Sequence, residues 1–292
     1  MPADTRKYPR ATRVLTKKAL TAAWFESRDS TSNAGSKGVD GVTARQFKTN
    51  IHDNISRICS TAKSGTYHFS KLRPFLVPKK NGKYRVICVP TVSDRLVQRT
   101  IARHIGRNDR LGLLNRVSYG FVSGEGKGVQ GAIVEALRLR ARHEWVLKTD
   151  IQSFFDEIRR LELKERIKRT LGVHSLVPLL CAVVDLELRP ESKEQSIELM
   201  AMGLRPGRGL RQGMPLSPLL SNFVLATFDE ACIKAKKRVL RYADDLILFG
   251  DSKGEIEDEF QFLSEQLAKV GHTLPAPGVG SKTELIAPKM LS

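Results

Sequence analysis

The run RVLRYADDLILFG, Arg238 to Gly250, sets two adjacent carboxylates, Asp244 and Asp245, between two short apolar segments. Val239 to Tyr242 and Leu246 to Phe249 are rich in β-branched, aliphatic and aromatic side chains and read as strands, with Ala243-Asp244-Asp245 as the turn between them. Aspartate is a common turn former, so a plain turn accounts for the pair as well as chemistry does. A further carboxylate cluster lies in EWVLKTDIQSFFDEI, Glu144 to Ile158: Trp145 to Leu147 is a strand candidate, Asp150 follows at its end, and a helix is expected from near Phe154 or Asp156. If this strand pairs beside the 239–249 hairpin, Asp150 and Asp244 converge despite their separation in sequence. Two such anions repel strongly unless a cation lies between them. Magnesium suits an oxygen-rich site that also engages substrate phosphates.

The elements that must position these groups come from a chain of 292 residues, 41% hydrophobic and 27% charged, which can bury a sizeable core as one large domain or two intimate subdomains. Its 49 Lys and Arg against 31 Asp and Glu give a formal charge of +18, which implies a polyanionic partner, nucleic acid foremost. Cys59, Cys88, Cys181 and Cys232 are scattered with no C-x-x-C pair. That spacing suggests neither a zinc site nor a disulfide framework, but reduced thiols in a cytosolic protein. The amino terminus, MPADTRKYPRATRVLTKKAL, lacks the continuous apolar core of a secretory signal. The longest apolar stretch, near Val177 to Val184, contains Pro178 and falls short of the roughly 20 residues a spanning helix needs. A soluble, cytoplasmic protein with no membrane partner is expected.

Charge is unevenly placed. Between Lys71 and Arg116 there are twelve Lys or Arg against only Asp94 and Asp109, whereas Asp251 to Glu265 is locally acidic. Within the basic segment RPFLVPKKNGKYRVICVP reads as a hairpin, with strands at Phe75 to Val77 and Tyr84 to Val89 and a cationic turn through Lys79, Lys80 and Lys83. Ser93 is a candidate cap for a following helix, in which Arg95, Arg99 and Arg103 recur every four residues and Val97, Ile101 and Ile105 form another face. An arginine stripe is often only a solvated face, but beside a cationic hairpin it is expected to contact nucleic-acid phosphates.

Residues 1–60 read as mainly helical, interrupted by the loop SRDSTSNAGSKGVDG. SGEGKGVQ, Ser123 to Gln130, opens a helix expected to run through Arg142. Its Gly126-Lys127 is followed by Gly128 rather than Ser or Thr, so it reads as a helix-entry loop and not a Walker phosphate loop.

Seven segments carry a family resemblance. DIQSFFDEI resembles motif A of reverse transcriptases, LRQGMPLSPLLSN motif B, RYADDLILF the Y-x-D-D motif C, and SKTELI motif D. RPFLVPKKNGKYRVICVPTVSDRLVQ and VSYGFVSG resemble the fingers blocks of the bacterial, group II-intron-like lineage, and GVDGVTARQF its N-terminal motif. The resemblance implies an α+β right-hand polymerase fold: an N-terminal helical extension over 1–60, fingers over 61–145, and a palm over 146–292 with an antiparallel sheet flanked by helices and part of the fingers between motifs A and B. It implies Asp150, Ile151 and Asp244 as the metal set for two Mg²⁺ ions, with Mn²⁺ as a substitute, and Asp245 as a further catalytic charge. Lys79, Lys80 and Arg85 are expected at the triphosphate, Gln212 and Gly213 at nucleotide or template, and Lys282 at the departing pyrophosphate, against surface-lysine and structural-turn readings of the same residues. Phe155, at the position that excludes a ribose 2′-hydroxyl in related polymerases, implies deoxynucleotide preference; Phe154 and Phe155 on an extended segment alternate, so only one is expected in the core.

The activity implied is RNA-directed DNA synthesis by nucleotidyl transfer from dNTPs onto a DNA or RNA primer. A structured noncoding RNA partner and a setting such as phage defence are implied by the compact standalone members. Related RNA polymerases more often carry Gly-Asp-Asp and a polar residue at the sugar position. A noncatalytic scaffold with the polymerase fold and a group II intron retroelement enzyme are the alternatives. After SKTELI only Ala287 to Ser292 follow, so the thumb is expected to be missing and its grip to come from RNA, a protein partner or another copy of the chain.

Overall fold

In the computed structural model, which describes residues 11–27, 29, 36–79, 82, 84–107, 109, 111–172, 175–278 and 280–288, the β-branched and aromatic segments pair as strands. In chain order the elements are α1 (Ala11–Val14), α2 (Lys17–Phe25), α3 (Ala44–Thr49), α4 (Ile51–Ser64), β1 (Arg73–Pro78), β2 (Tyr84–Val89), α5 (Val92–Arg107), α6 (Gly128–Arg140), β3 (Trp145–Asp150) and α7 (Phe154–Glu157). They continue with α8 (Arg160–Leu171), α9 (Val177–Val184), α10 (Lys193–Ala201), α11 (Ser217–Lys234), β4 (Val239–Tyr242), β5 (Asp245–Gly250), α12 (Lys253–Lys269) and β6 (Glu284–Ile286). The chain divides into two units, each built from two stretches: residues 1–105 with 159–217, and residues 106–158 with 218–292.

In the first unit β1 and β2 form an antiparallel hairpin in which Pro78 lies opposite Tyr84. Lys80, Asn81 and Lys83 of its turn, and residues 28 and 30–35 of the expected SRDSTSNAGSKGVDG loop, lie outside the described residues. The helix after the hairpin begins two residues earlier than expected. Its cap is Thr91 rather than Ser93: Thr91 Oγ1 accepts the Asp94 backbone N–H at 3.1 Å, and satisfying an orphan N–H is what a cap does. Pro178 sits in the first turn of α9, where a missing N–H costs nothing.

The second unit holds a four-stranded antiparallel sheet of order β4-β5-β3-β6. α6 covers part of it: Tyr119, Ala132 and Leu139 bury their side chains with Val146, Leu240 and Phe249. Residues 106–145 fall in the same unit as this sheet, and the β1–β2 hairpin falls in the other. Before α6, Gly126 and Gly128 take left-handed φ of 68° and 79°. Lys127 is spent internally, donating to the carbonyls of Asn115 and Ser118 and lying 4.0 Å from the Tyr119 ring centre. The lysine of GEGKG therefore fastens a helix-entry loop, and α6 closes at Arg140, two residues before the expected end. Among the described residues no helix is long and apolar enough to cross a membrane.

Candidate active site

Asp150 ends β3, and its register partner is Asp245, the first residue of β5. Tyr242 pairs with the same Asp245 across the hairpin, leaving only Ala243 and Asp244 in the turn. All three acidic residues thus meet at one end of the sheet. Asp150 faces Asp245 across the strand register, while Asp244 caps the turn beside them. Ala243 holds φ at 57°, a region that crowds a side chain against its own backbone. The Ile151 N–H donates to the Asp244 carbonyl at 3.0 Å and ties the turn to the residue after β3. From the other side Gly120 lies so close that a Cβ built on it would stand 2.5 Å from the Ala243 nitrogen.

The electrostatics of this edge call for a cation. Partial burial, then the charges of Asp245 and Asp150, hold the Asp244 carboxyl above the ordinary carboxylate range. Asp245 is raised as well, by desolvation first and by Asp150 next, with Lys148 and Lys282 opposing. Lys282, although 75% exposed, forms an ion pair with Asp150 Oδ2. Asp150 Oδ1 is buried with no hydrogen-bond partner among the described residues. A buried carboxylate oxygen left unpaired is costly, and a divalent ion is the ligand that would satisfy it. Among the described residues no three His, Cys, Asp or Glu side chains converge on one point. Two carboxylates with a backbone carbonyl, the only oxygen Ile151 offers, still fit magnesium, which takes few protein ligands and completes its shell with water and substrate phosphates.

The segment just before β6, which carries Lys282 to this edge, is fastened to β3 and to the Pro275 carbonyl. Thr283 Oγ1 donates to the Pro275 carbonyl at 2.7 Å, so in its 2.8 Å contact with Thr149 Oγ1 the Thr149 hydroxyl is the donor. Beyond Asp150, Ser153 takes a left-handed φ of 47° and α7 is a single turn. Only one of the phenylalanine pair is buried, as expected, but the pair opens the helical turn α7 and not an extended segment, so strand alternation is not the cause. Phe154 is buried, packed edge-on to His272 at 4.9 Å between ring centres, while Phe155 stays half-exposed.

In the first unit Lys79 and Arg85 are solvent-exposed on the β1–β2 hairpin, and Lys80 lies outside the described residues. Gln212 is half-buried, and its carbonyl accepts the Cys88 N–H of β2 at 2.7 Å. Gly213, with φ 101°, is required by that approach: a Cβ there would meet the Cys88 oxygen and Ile87 Cγ2 at 2.8 Å each. The close approach expected of this glycine is made to the protein's own strand. The loop is further held by Glu187, which bridges two buried arginines, Arg160 at 2.5 Å and Arg211 at 2.7 Å, and accepts the Gly207 N–H at 2.9 Å. Glu187 was not singled out in the sequence; nothing local distinguishes it from a surface acid.

The arginine stripe of α5 is corrected by the structure. Arg95 is 5% exposed and donates to Asp29, to the Pro90 carbonyl and to the Ser36 carbonyl. Arg99 shares Asp29, and Arg103 pairs with Glu26. The every-fourth spacing is expected to contact nucleic-acid phosphates, but two acids far upstream fold back and pair with all three arginines. Replacing Arg95 by Gln is accordingly expected to lower stability by about 3 kcal/mol, the usual cost of breaking a buried pair, and to leave the salt dependence of nucleic-acid binding unchanged. Chemical denaturation with a salt titration checks both, and a shallower salt slope in the folded variant would restore Arg95 to the phosphate face.

Comparison with known proteins bears on the whole arrangement. The chain is 27% identical over 209 residues to protein YkfC of Escherichia coli strain K12, covering 69% of this chain and 51% of that protein. It is 25% identical over 271 residues to the group II intron-encoded protein LtrA of Lactococcus lactis subsp. cremoris, covering 91% of this chain and 41% of LtrA. The chain thus spans about half the length, or less, of these curated relatives. Among solved structures, telomerase from Candida tropicalis bound to a telomeric RNA fragment superposes with a TM-score of 0.52 at 16% identity, covering 89% of this chain and 48% of that one. This likeness shows the fold, an α+β polymerase palm. The family model described as reverse transcriptase (RNA-dependent DNA polymerase) matches residues 77–285. That span takes in the carboxylate-bearing sheet edge, the Gln212–Gly213 loop and most of the β1–β2 hairpin, so the chain belongs to the reverse transcriptase family.

Proposed function

We propose that the protein is an RNA-directed DNA polymerase that adds deoxynucleotides to a primer by nucleotidyl transfer. The observation that carries this is the Asp150, Asp244 and Asp245 edge, with two carboxyls raised by burial and mutual repulsion and one buried oxygen left without a partner. Asp150 and Asp244, with the Ile151 carbonyl, would hold the metal; two bound Mg²⁺ ions supply activation of the primer 3′-oxygen and neutralisation of the triphosphate and its leaving group. The chain's own contribution is to hold these acids together at one end of the sheet. Lys282 balances Asp150 in the metal-free protein and is free to turn toward pyrophosphate once a metal takes its place. Lys79 and Arg85 supply cationic contacts to the nucleotide, and Gln212 a polar contact held by Gly213.

The direct test is extension of an RNA-templated primer with dNTPs and Mg²⁺ by the purified chain. Template-dependent extension supports the reading; binding without incorporation would mark a scaffold instead. The wider setting proposed with it is a dedicated noncoding RNA, supported by the charge of +18, and phage defence. Sequencing of copurified RNA and DNA, and phage plating with and without the active chain, test these two points.

Phe155 carries a sharper expectation, because its half-exposed ring stands five positions after Asp150 while its neighbour fills the core. Phe155→Val is expected to raise ribonucleotide use relative to deoxynucleotide by on the order of 10-fold or more, since discrimination by a single steric contact is worth about 1–3 kcal/mol. Single-nucleotide kinetics with matched rNTP and dNTP measure it. An unchanged ratio in an active variant removes Phe155 from sugar selection.

A further inference from the structure

The second unit contains a fully buried arginine that the chemistry above does not use. Arg241 lies in β4, two residues before the turn, with no solvent exposure. Its guanidinium has five N–H donors, and the structure spends all of them. Nε and Nη2 grip the two oxygens of Asp229 on α11, at 2.7 and 2.5 Å. Nη1 donates to Asn222 Oδ1, also on α11, and to the Ala243 carbonyl, each at 2.8 Å. The remaining Nη2 hydrogen goes to Ser118 Oγ at 2.9 Å.

These partners form a frame around the turn. Asn222 donates to the Gly120 carbonyl at 2.7 Å, and Asn115 donates to Asp229 at 3.2 Å. The Arg241 backbone donates to the Val117 carbonyl at 2.8 Å and accepts from Tyr119 at 2.9 Å, so segment 115–120 lies along β4 like an added strand. The contact to the Ala243 carbonyl bears on function. Ala243 holds the left-handed φ, and its carbonyl belongs to the peptide plane that leads into Asp244. A residue in that region reverts to ordinary backbone angles unless its surroundings over-determine it, and here the hydrogen bond from Nη1 does so from the protein interior.

We propose that Arg241, oriented by Asp229 and Asn222, is a positioning residue that sets the Asp244 carboxylate for metal by locking the Ala243 peptide. It touches neither metal nor substrate. The inference rests on the assignment of Asp244 to the metal and deepens it, since an arginine that merely stabilised the core would need the Asp229 fork but not the bond to the turn. Lysine in its place keeps the charge beside Asp229 and loses the planar fork that reaches Asn222, Ser118 and Ala243 at once.

The test compares Arg241→Lys, Ser118→Ala and Asp244→Asn in the full chain. Manganese binding to the nucleotide-free protein is followed by electron paramagnetic resonance, and primer extension is titrated with Mg²⁺. Arg241→Lys is expected to bind primer–template as the wild type does, to weaken manganese binding about 10-fold, and to raise the half-saturating Mg²⁺ by a similar factor. Ser118→Ala, which removes one bond distant from the turn, is expected to leave the metal titrations unchanged and so acts as a second variant that perturbs the frame without freeing Ala243. Folded Arg241→Lys with wild-type manganese binding and Mg²⁺ dependence overturns the proposal, as does a Ser118→Ala shift equal to that of Arg241→Lys. Should Arg241→Lys fail to fold, Ala243→Gly, which removes only one buried methyl group and widens the backbone freedom of the same peptide, must show the metal shift; its absence is equally fatal. Asp244→Asn separates the two layers: full activity there defeats the metal assignment itself, whereas a dead Asp244→Asn beside a wild-type-like Arg241→Lys defeats only the positioning role.

Discussion

Replacing Asp244 by Asn is expected to abolish Mg²⁺-dependent primer extension, by about 10³-fold or more, while making the metal-free protein more heat-stable by a few degrees. Both effects have one cause. The Asp244 carboxyl is raised by burial and by Asp245 and Asp150, so in the folded state its charged form is disfavoured relative to the unfolded chain. For a carboxyl raised in this way the cost to stability is absent below the unfolded pKa of about 3.9, grows as pH rises toward the folded value, and persists at neutral pH. Asn removes the cost, so its advantage should vanish on acidification. Wild-type protein should recover stability when Mg²⁺ is added, by about 2.7 kcal/mol at 100 times the dissociation constant for an ion bound only to the folded state. The variant should recover little of it. Asp150→Asn should be equally inactive, because Asp150 carries the unpartnered Oδ1 at the same edge. Calorimetry with and without Mg²⁺ across pH, beside primer extension, measures each point. Wild-type-like extension by either variant would remove the two-carboxylate metal assignment.

Adding one methyl group at Gly120 is expected to cost nearly as much activity, although Gly120 bears no chemistry. A Cβ there would meet the Ala243 nitrogen at 2.5 Å, the Tyr242 carbonyl carbon at 3.0 Å and the Tyr242 Cα at 3.2 Å. All three are backbone atoms of the turn that presents Asp244, and no side-chain rotation relieves the contact. Either segment 115–120 lifts away, losing the Asn222 bond to the Gly120 carbonyl, or the turn shifts. A misplacement of about 1 Å at reacting groups costs on the order of 10²-fold in rate, and forcing a methyl into a packed interior costs about 1–3 kcal/mol. Gly120→Ala should therefore lower the turnover rate about 100-fold with primer–template affinity preserved, and should lower the melting temperature by several degrees. Gly126→Ala, at an open site with left-handed φ, is the control: it should cost stability through backbone strain and leave turnover near wild type. Equal turnover losses in the two variants would show that Gly120 acts only through stability.

Much of the candidate site was legible in the residues themselves. The strand assignments around Asp150 and the 239–249 hairpin hold because β-branched and aromatic runs broken by a two-residue turn are local signals, read without knowledge of the partner. The convergence of Asp150 with the turn acids followed from placing each at a strand end, whereas the buried Phe154 beside a half-exposed Phe155 arises on the short helix α7 and not on the extended segment expected. The motif order and the charge of +18 pointed to the family before any coordinate did.

What the tertiary structure alone decided concerns which polar partner stands opposite each charge. Periodicity placed Arg95, Arg99 and Arg103 on one face of α5, but not that Asp29 and Glu26 would neutralise that face. Gly213 of motif B is expected at nucleotide or template, and no role is read for Gly120 in VSYGF. Both make room for the protein's own backbone, Gly213 against Cys88 and Gly120 against Ala243. Arg241 read as one more cation in a basic chain, yet it is buried with every donor occupied by Asp229, Asn222, Ser118 and Ala243. A charge is equally at home in water or in a satisfied interior network, and the sequence near it is the same in both cases. Only the folding together of distant segments supplies the partners that make burial tolerable, so the candidate acids of the sheet edge were legible locally, while the frame around their turn was set by contacts across the chain.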